Sequence, residues 1–201
     1  MSEIKKIGVL TGGGDCSGLN AVVRAVTLTA INKYGCEVIG FKKGYAGLYA
    51  NDYMQLTAEN TTHILNQGGT ILKNSNKDNL FNYAYRDENG NIQHKDVSDV
   101  AVENLKNLQI DALVVIGGDG TLTSARDFAR KGVRVIGVPK TIDNDVSYAD
   151  ITFGFTTALG VICEAVDRVR TTAFSHDRVQ ILEVMGRNCG WLALEGGLSG
   201  G

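Results

Sequence analysis

The stretch LVVIGGDGTLTSARDFAR, residues 113–130, decides the fold class. Its opening residues, 113–116, are apolar and mostly β-branched, which favours a strand buried on both faces. Glycines follow directly, and the spacing of apolar residues over 121–130 is typical of an amphipathic helix. A buried strand that leads through a glycine turn into a helix begins a strand–helix–strand unit. The stretch therefore predicts an α/β protein with parallel strands.

The same alternation extends from this stretch towards both ends of the chain. Strands are predicted at 7–10, 38–41, 133–138 and 179–184. Helical periodicity falls between them, at 19–32, 98–108 and 156–172. One segment, 81–99, departs from the pattern, because Asn89-Gly90 between short extended pieces is typical of a hairpin turn. The order of elements predicts a doubly wound parallel sheet, in which ligands bind beyond the carboxyl ends of the strands.

Composition and charge exclude several classes of function. A formal net charge of −2 gives no basic surface for nucleic acid. The longest apolar run, 112–116, is far too short to span a membrane. The polar start, 1–6, leads directly into a strand, so no signal peptide is expected. The 4 cysteines lie far apart without metal-ligand or CxxC spacing, which predicts reduced thiols and a cytoplasmic protein.

Glycine is abundant, with 25 residues against 1 proline, and it is concentrated directly after the apolar runs. The first such group, TGGGDCSG at 11–18, lies between a predicted strand and a predicted helix. Glycines there let backbone N–H groups approach a phosphate at the start of the helix. The loop is neither a Walker sequence nor a clean GxGxxG, so on its own it fits a tight turn equally well.

Two further groups carry carboxylates. In GGDGT, residues 117–121, Asp119 is placed either to hold a magnesium ion that bridges phosphate oxygens or to cap the next helix. In PKTIDND, residues 139–145, Asp143 and Asp145 alternate, so an extended backbone turns both carboxylates to one side. That pair suits a bound cation or a catalytic base, although a solvated acidic turn has the same pattern.

The last group, MGRNCG at 185–190, follows the strand predicted at 179–184. Arg187 in this group is a candidate clamp for a phosphate or a transition state, or else a residue of a surface ion pair. The 3 histidines match no catalytic triad and no zinc spacing.

The motifs GGDGT, PKTIDND and MGRNCG occur in the order and spacing of the 6-phosphofructokinases. The segments GVLTGGGD (8–15), GYAGL (44–48) and GGTIL (68–72) agree with it. The chain thus resembles the amino-terminal portion of an A-type member over essentially its whole length. The resemblance implies a donor-binding domain at 1–145 and the first part of a fructose 6-phosphate domain at 146–201. It also implies that the chain stops short of the complete enzyme.

The resemblance further implies an activity, the transfer of a phosphoryl group from ATP to the 1-hydroxyl of fructose 6-phosphate. Asp143 is then the general base, with Thr141 and Asp145 beside it, and Arg187 steadies the transferring group. Arg178 reaches the 6-phosphate of a neighbouring subunit's substrate, which predicts a homo-oligomer. The residues implied to contact the sugar phosphate within the chain are Thr141, Asp143, Met185, Gly186 and Arg187.

The donor side is implied in the same way. Asp119 holds the magnesium ion that the donor phosphates need. The other residues implied to line the donor are Gly14, Tyr45, Lys77, Gly118, Gly120, Thr121 and Lys140.

The identity of the donor stays open at this point. By the resemblance, Gly120 leaves room for the α-phosphate of ATP, whereas Lys140 occurs among pyrophosphate users, and Lys77 stands in for an arginine of many ATP users. Leu28 occupies the place of a second effector-binding arginine one turn after Arg24, so control by ADP or phosphoenolpyruvate is not expected. The alternatives are a pyrophosphate-dependent phosphotransferase and a non-catalytic protein that binds nucleotide or sugar phosphate.

Overall fold

The computed structural model describes residues 4–75 and 79–201. The chain divides into two compact units, Met1–Pro139 and Lys140–Gly201. The division precedes the boundary predicted after residue 145, so Asp143 and Asp145 belong to the second unit. That the first unit binds a phosphoryl donor and the second a sugar phosphate stays a prediction.

Strands and helices alternate along most of the chain. The strands are β1 (Lys6–Thr11), β2 (Glu37–Phe41), β3 (Tyr53–Leu56), β4 (Tyr83–Arg86), β5 (Ile92–Lys95), β6 (Ala112–Gly117), β7 (Val135–Thr141) and β8 (Phe153–Gly154). The α-helices are α1 (Leu19–Tyr34), α2 (Tyr45–Ala50), α3 (Ala58–Thr61), α4 (Ser98–Asn107), α5 (Asp119–Arg130), α6 (Phe155–Ser175) and α7 (Trp191–Ser199). Short 3₁₀ helices span Thr62–Ile64 and Leu80–Asn82. Within the described ranges, no helix has the length and apolar character needed to cross a membrane.

The main sheet confirms the predicted fold class. In the first unit the strand order is β3-β2-β1-β6-β7, and β1, β2, β6 and β7 run parallel. The short edge strand β3 differs, since it is antiparallel to β2. Thr11 pairs with Ile116 and Gly117 with Pro139, which brings the carboxyl ends of β1, β6 and β7 to one edge. The glycine loops after β1 and β6 therefore lie where ligands bind in such sheets.

The core explains why the predicted elements form. Leu10, Leu113, Val115 and Phe128 are each 0% exposed and belong to one apolar cluster. Burial of side chains of this size contributes about 1.5–3 kcal/mol each. The strands predicted at 7–10, 38–41, 113–116 and 133–138, and the helices predicted at 19–32, 98–108, 121–130 and 156–172, are confirmed to within a few residues at their ends.

The hairpin predicted at 81–99 is also confirmed. Strands β4 and β5 are antiparallel, with Tyr83 opposite Lys95. One carboxylate oxygen of Asp87 closes the turn by accepting hydrogen bonds from the N–H groups of Asn91 (2.8 Å) and Asn89 (2.9 Å). These bonds, chiefly the one from Asn91, hold the pKa of Asp87 below its usual value.

The second unit is built on the packing of α7 against α6. A Cβ added at Gly196 would lie 2.5 Å from Cγ2 of Ile162, and one added at Gly200 would lie 2.5 Å from Cγ1 of Val166. Larger residues at either position would therefore push the helices apart. The short strand β8 pairs with the last two residues of β7, Lys140 and Thr141.

The prediction of a strand at 179–184 is wrong. Residues 178–186 have no regular secondary structure, and Val179 and Ile181 are 95% and 92% exposed. A strand needs a neighbour to satisfy its backbone N–H and C=O groups. Among the strands that the structure describes, none pairs with this segment.

Candidate active site

Backbone hydrogen bonds hold the glycine loop after β1 to strand β6 and to residue Ser75. The N–H of Gly12 donates to the carbonyl oxygen of Ile116 at 2.9 Å, and the N–H of Gly13 donates to that of Ser75 at 3.2 Å. A Cβ added at Gly14 would meet no atom within 4 Å. The loop is thus fixed at its start and has open space at Gly14. A ligand that approaches the backbone needs such space.

The start of α5 is set by close packing around Thr121. A Cβ at Gly12 would lie 2.7 Å from Cγ2 of Thr121, and one at Gly117 would lie 2.5 Å from the same atom. Both glycines are therefore needed for β1, β6 and the first turn of α5 to approach one another. Gly117 and Thr121 belong to the GGDGT motif and Gly12 to the group at 11–18, but their packing against one another is not among the sequence predictions.

Asp119 and Gly120 lie exposed at the beginning of α5, just after Gly118. A Cβ at Gly120 would meet nothing within 4 Å, so there is unfilled space next to the carboxylate. Magnesium is usually held by one or two carboxylates together with phosphate oxygens. The exposed Asp119 carboxylate fits that donor set, and its role as a magnesium ligand stays a prediction.

Tyr45 lies behind this region and is only 5% exposed. Its hydroxyl donates to the carbonyl oxygen of Thr121 at 2.9 Å, and its ring stacks on Phe128 with centroids 5.5 Å apart. Burial, and to a smaller extent the Asp127 carboxylate, raises the pKa of Tyr45 well above its ordinary value. Tyr45 supports the first turn of α5 from within the core, and direct contact with a donor stays a prediction.

A cavity of about 240 Å³ opens next to the glycine loop. Lys77, predicted to supply positive charge on this side, lies outside the described residues. The residues that line the cavity are Asp15, Gly69, Thr70, Lys73 and Asn74.

In the second unit, Asp145 and Arg187, which come from two separate motifs, both affect the pKa of the Asp143 carboxyl group. Burial raises the pKa of Asp143 above its usual value, the Asp145 carboxylate raises it further, and the Arg187 guanidinium opposes both. The hydroxyl of Thr141 accepts a hydrogen bond from the N–H of Asp143 at 3.1 Å. The structure thus brings Thr141, Asp143, Asp145 and Arg187 into one neighbourhood.

Thr152 fastens the segment that carries Asp143 and was not found from the sequence. It is 2% exposed, its hydroxyl donates to the carbonyl oxygen of Thr141 at 2.7 Å, and its N–H donates to Oδ1 of Asn144 at 2.9 Å. Thr152 lies outside the PKTIDND motif, and its partners Thr141 and Asn144 lie within it, so the motif alone does not mark this threonine.

The MGRNCG turn contacts the same segment through Cys189. Its thiol donates to the carbonyl oxygen of Asp143 at 3.3 Å, and its N–H donates to that of Gly186 at 2.7 Å. Gly186 has φ 146°, and a Cβ there would collide with the carbonyl oxygen of Cys189. The turn therefore needs glycine at 186, and the thiol joins it to the backbone of the proposed base.

Replacing Cys189 with valine, which has a similar size and no donor, is expected to lower kcat by about three- to tenfold, the loss of one modest hydrogen bond. Cys189→Ser keeps a donor and is expected to stay near the wild-type kcat. Initial rates of the two variants test this. Equal rates for Cys189→Val and wild type would contradict a role for the bond.

The remaining predicted residues differ in exposure. Lys140 is buried, at 4% exposed, within the end of β7 that belongs to the second unit. Arg178, Met185 and Arg187 are exposed, and the N–H of Arg178 donates to the carbonyl oxygen of Ala173 at 2.9 Å. Their contacts with substrate, and that of Arg178 with a neighbouring subunit, stay predictions.

The electrostatics of Asp143 predict opposite pH shifts for two variants. A general base must be deprotonated, so if Asp143 has the predicted role, the rate falls as pH drops through the pKa of Asp143. Asp145→Asn removes a charge that raises this pKa and should move the acid limb of kcat/KM to lower pH. Arg187→Gln removes a charge that lowers it and should move the limb to higher pH. A shift of both variants in one direction would contradict this electrostatic account.

Comparison with known proteins shows the family to which this chain belongs. The phosphofructokinase family profile matches residues 6–201. ATP-dependent 6-phosphofructokinase 2 of Clostridium perfringens (strain 13 / Type A) is 68% identical over 200 residues, which cover 100% of this chain and 55% of that protein. Pyrophosphate–fructose 6-phosphate 1-phosphotransferase of Dictyoglomus thermophilum is 50% identical over 201 residues, covering 100% of this chain and 54% of that protein.

A solved structure agrees. Pichia pastoris phosphofructokinase in the T-state matches with a TM-score of 0.84 at 36% identity, over 100% of this chain and 22% of that one. The chain belongs to the phosphofructokinase family. It spans about half the length of the relatives that it matches in sequence.

Proposed function

We propose that the protein to which this chain contributes is a 6-phosphofructokinase that transfers a phosphoryl group from ATP to the 1-hydroxyl of fructose 6-phosphate. The observation that carries the proposal is the grouping of Asp143 with Thr141, Asp145 and Arg187 in a chain of the phosphofructokinase family. Burial and Asp145 raise the pKa of Asp143, and Arg187 opposes them. A carboxyl group poised in this way suits a general base. A protein that only binds sugar phosphates has no need of one.

On the acceptor side, Asp143 takes the proton of the 1-hydroxyl as that oxygen attacks the terminal phosphorus of ATP. The bond from this phosphorus to the bridging oxygen breaks, and ADP leaves. Arg187 is exposed and balances the negative charge that gathers on the transferring group. Thr141, Thr152 and Cys189 hold the backbone around Asp143 through their hydrogen bonds. This rigid support keeps the base within reach of the hydroxyl.

On the donor side, we propose that the phosphates lie over the glycine loop and the start of α5. The open positions at Gly14 and Gly120 give a polyphosphate room to approach. Asp119 would hold the magnesium ion, which when bound neutralises phosphate charge. The open space at Gly120 favours ATP, and the relative from Clostridium perfringens carries an ATP-dependent name.

Pyrophosphate is the second candidate donor. Lys140 follows Pro139 in the chain, as among pyrophosphate users, and the relative from Dictyoglomus thermophilum is named for that donor. We also propose that the protein acts in the cytoplasm as a homo-oligomer in which Arg178 serves a neighbouring subunit's site. Light scattering on the purified full-length protein tests the oligomer, and a monomer would contradict it.

The activity is tested by expressing the complete reading frame that contains this chain. Fructose 6-phosphate phosphorylation is assayed with magnesium and with either ATP or pyrophosphate as the only donor. Activity with ATP alone is expected. Activity with pyrophosphate alone would favour the second candidate, and activity with neither would contradict the proposed function.

A further inference from the structure

A buried asparagine on α1 fastens the loop 67–75 to the first unit. Asn20 is 2% exposed, and its Nδ2 donates to the carbonyl oxygens of Gln67 at 3.1 Å and Gly68 at 3.4 Å. Its Oδ1 accepts a hydrogen bond from the N–H of Ile71 at 2.9 Å. One side chain thus satisfies three backbone groups, and its own donor and acceptor are both used.

The far end of the same loop is tied to the glycine loop. The hydroxyl of Thr11 donates to the carbonyl oxygen of Lys73 at 3.2 Å, and the N–H of Gly13 donates to that of Ser75 at 3.2 Å. Thr11 is the last residue of β1 and is fully buried. With Asn20 at one end and Thr11 at the other, the loop lies fixed beside Gly13.

What the loop presents is the cavity of about 240 Å³ next to the glycine loop. Lys73 lines it, is exposed, and holds a left-handed backbone with φ 59°. Both polar atoms of the Asn74 amide are buried and have no hydrogen-bond partner among the described residues. An amide left unsatisfied in this way costs free energy unless a ligand or water completes it.

We infer that Asn20 is a positioning residue for the phosphoryl donor and acts through the loop 67–75. The inference rests on the proposed function, because the donor is the molecule assigned to this edge of the sheet. Without Asn20 the first part of the loop, residues 67–71, loses its hydrogen bonds to α1 and would have to be ordered by the donor itself, and that cost appears as weaker donor binding. The proton transfer by Asp143 does not use this loop, so kcat is expected to be spared.

The first test uses Asn20→Leu, which keeps the size of the side chain and removes all three hydrogen bonds. In the full-length enzyme the KM for the donor is expected to rise about tenfold. The kcat and the KM for fructose 6-phosphate are expected to stay within about twofold of wild type. Asn20→Asp, which retains the acceptor for Ile71 and loses both donated bonds, gives a second reading if the leucine variant does not fold.

A double-mutant cycle asks whether Asn20 acts through Lys73. Lys73→Met alone should raise the donor KM, and its effect should shrink in the Asn20→Leu background because the loop is already less well ordered there. Full additivity of the two effects would contradict transmission through this loop.

Asn104 provides a matched control in the same unit. Its Nδ2 also donates to two consecutive carbonyl oxygens, those of Leu48 at 2.9 Å and Tyr49 at 3.0 Å. Asn104→Leu is expected to lower Tm as Asn20→Leu does, with an unchanged donor KM. A raised donor KM in the Asn104 variant, or a lowered Tm with an unchanged donor KM in the Asn20 variants, would overturn the inference.

Calorimetric titration separates this inference from the proposed function. Wild type and variants are titrated with magnesium ATP and with magnesium pyrophosphate, which needs no turnover and no sugar acceptor. The inference is supported if the Asn20 variants bind the donor about tenfold more weakly than wild type does. This result does not depend on the identity of the acceptor. Equal affinities, or no binding of either donor to wild type, would overturn it. Failure to phosphorylate fructose 6-phosphate would count against the proposed function alone.

Discussion

Asp143→Asn in the full-length enzyme is expected to lower kcat by about 10²- to 10⁴-fold, the usual contribution of a positioned general base. The amide has nearly the same shape as the carboxylate and cannot take the hydroxyl proton. Folding should be preserved, because the hydrogen bonds that hold this segment use backbone atoms of Thr141 and Asp143. Initial rates at saturating fructose 6-phosphate and donor give the measurement.

Asp150→Asn is the matched control. Asp150 is an exposed carboxylate in the same segment, and its backbone carbonyl accepts a hydrogen bond from the side chain of Asn144. Its replacement should leave kcat unchanged and removes the same charge. If Asp143→Asn keeps the wild-type kcat, Asp143 has no part in the mechanism.

Gly120→Asp is expected to lower kcat/KM for ATP by about 100-fold, since a carboxylate facing phosphates costs several kcal/mol. The Cβ of the new residue meets no atom within 4 Å, so the protein itself accommodates it. An acidic residue in the first turn of α5 also interacts favourably with the helix dipole. The loss should therefore appear in the use of ATP and not in Tm.

Gly120→Ala separates space from charge. A methyl group fills only part of the open volume, so this variant is expected to retain most of its ATP-dependent rate. Assays with pyrophosphate on all three proteins show whether the aspartate selects the smaller donor or only weakens the larger one. Wild-type use of ATP by Gly120→Asp would contradict the proposed position of the donor at the start of α5.

The parts of the fold that could be predicted are those fixed by local pattern. The apolar run at 113–116 and the helix from 121 formed as predicted because burial of Leu113, Val115 and Phe128 rewards that periodicity. The segment 179–184 has the same apolar character and forms no strand. Whether an extended segment becomes a strand depends on a hydrogen-bonding neighbour, which its own composition does not specify.

Helix α7 was missed for a related reason. Gly196 and Gly197 lower the intrinsic helix propensity of the segment. The benefit of glycine there is the close approach of α7 to Ile162 and Val166 on α6, a contact between residues far apart in sequence. Propensity was overridden by packing that only the structure reveals.

In the candidate site, too, local motifs could be predicted from the sequence and contacts between separate segments could not. Motif spacing was enough to single out Asp143, Asp145 and Arg187, which the structure brings into one electrostatic neighbourhood. Thr152 and Cys189 support the segment that carries Asp143 and are not predicted, because they act through hydrogen bonds that no motif spacing shows. Asn20 is not predicted for the same reason, since its three hydrogen bonds hold backbone groups of the loop 67–75. Such contacts leave no periodic or motif signal in one sequence. Cys189 in particular was predicted only to be a reduced thiol.

The most direct test of the central claim is ³¹P NMR of the reaction products. The full-length protein is incubated with magnesium, ATP and fructose 6-phosphate, and the phosphate esters are assigned by their coupling to the methylene protons at C1 and C6 of the sugar. The account predicts a new phosphate ester at C1 of the sugar, equal in amount to the ADP formed, and its loss with Asp143→Asn. ADP with inorganic phosphate and no second ester, or a sugar that remains unchanged with either donor, would contradict it.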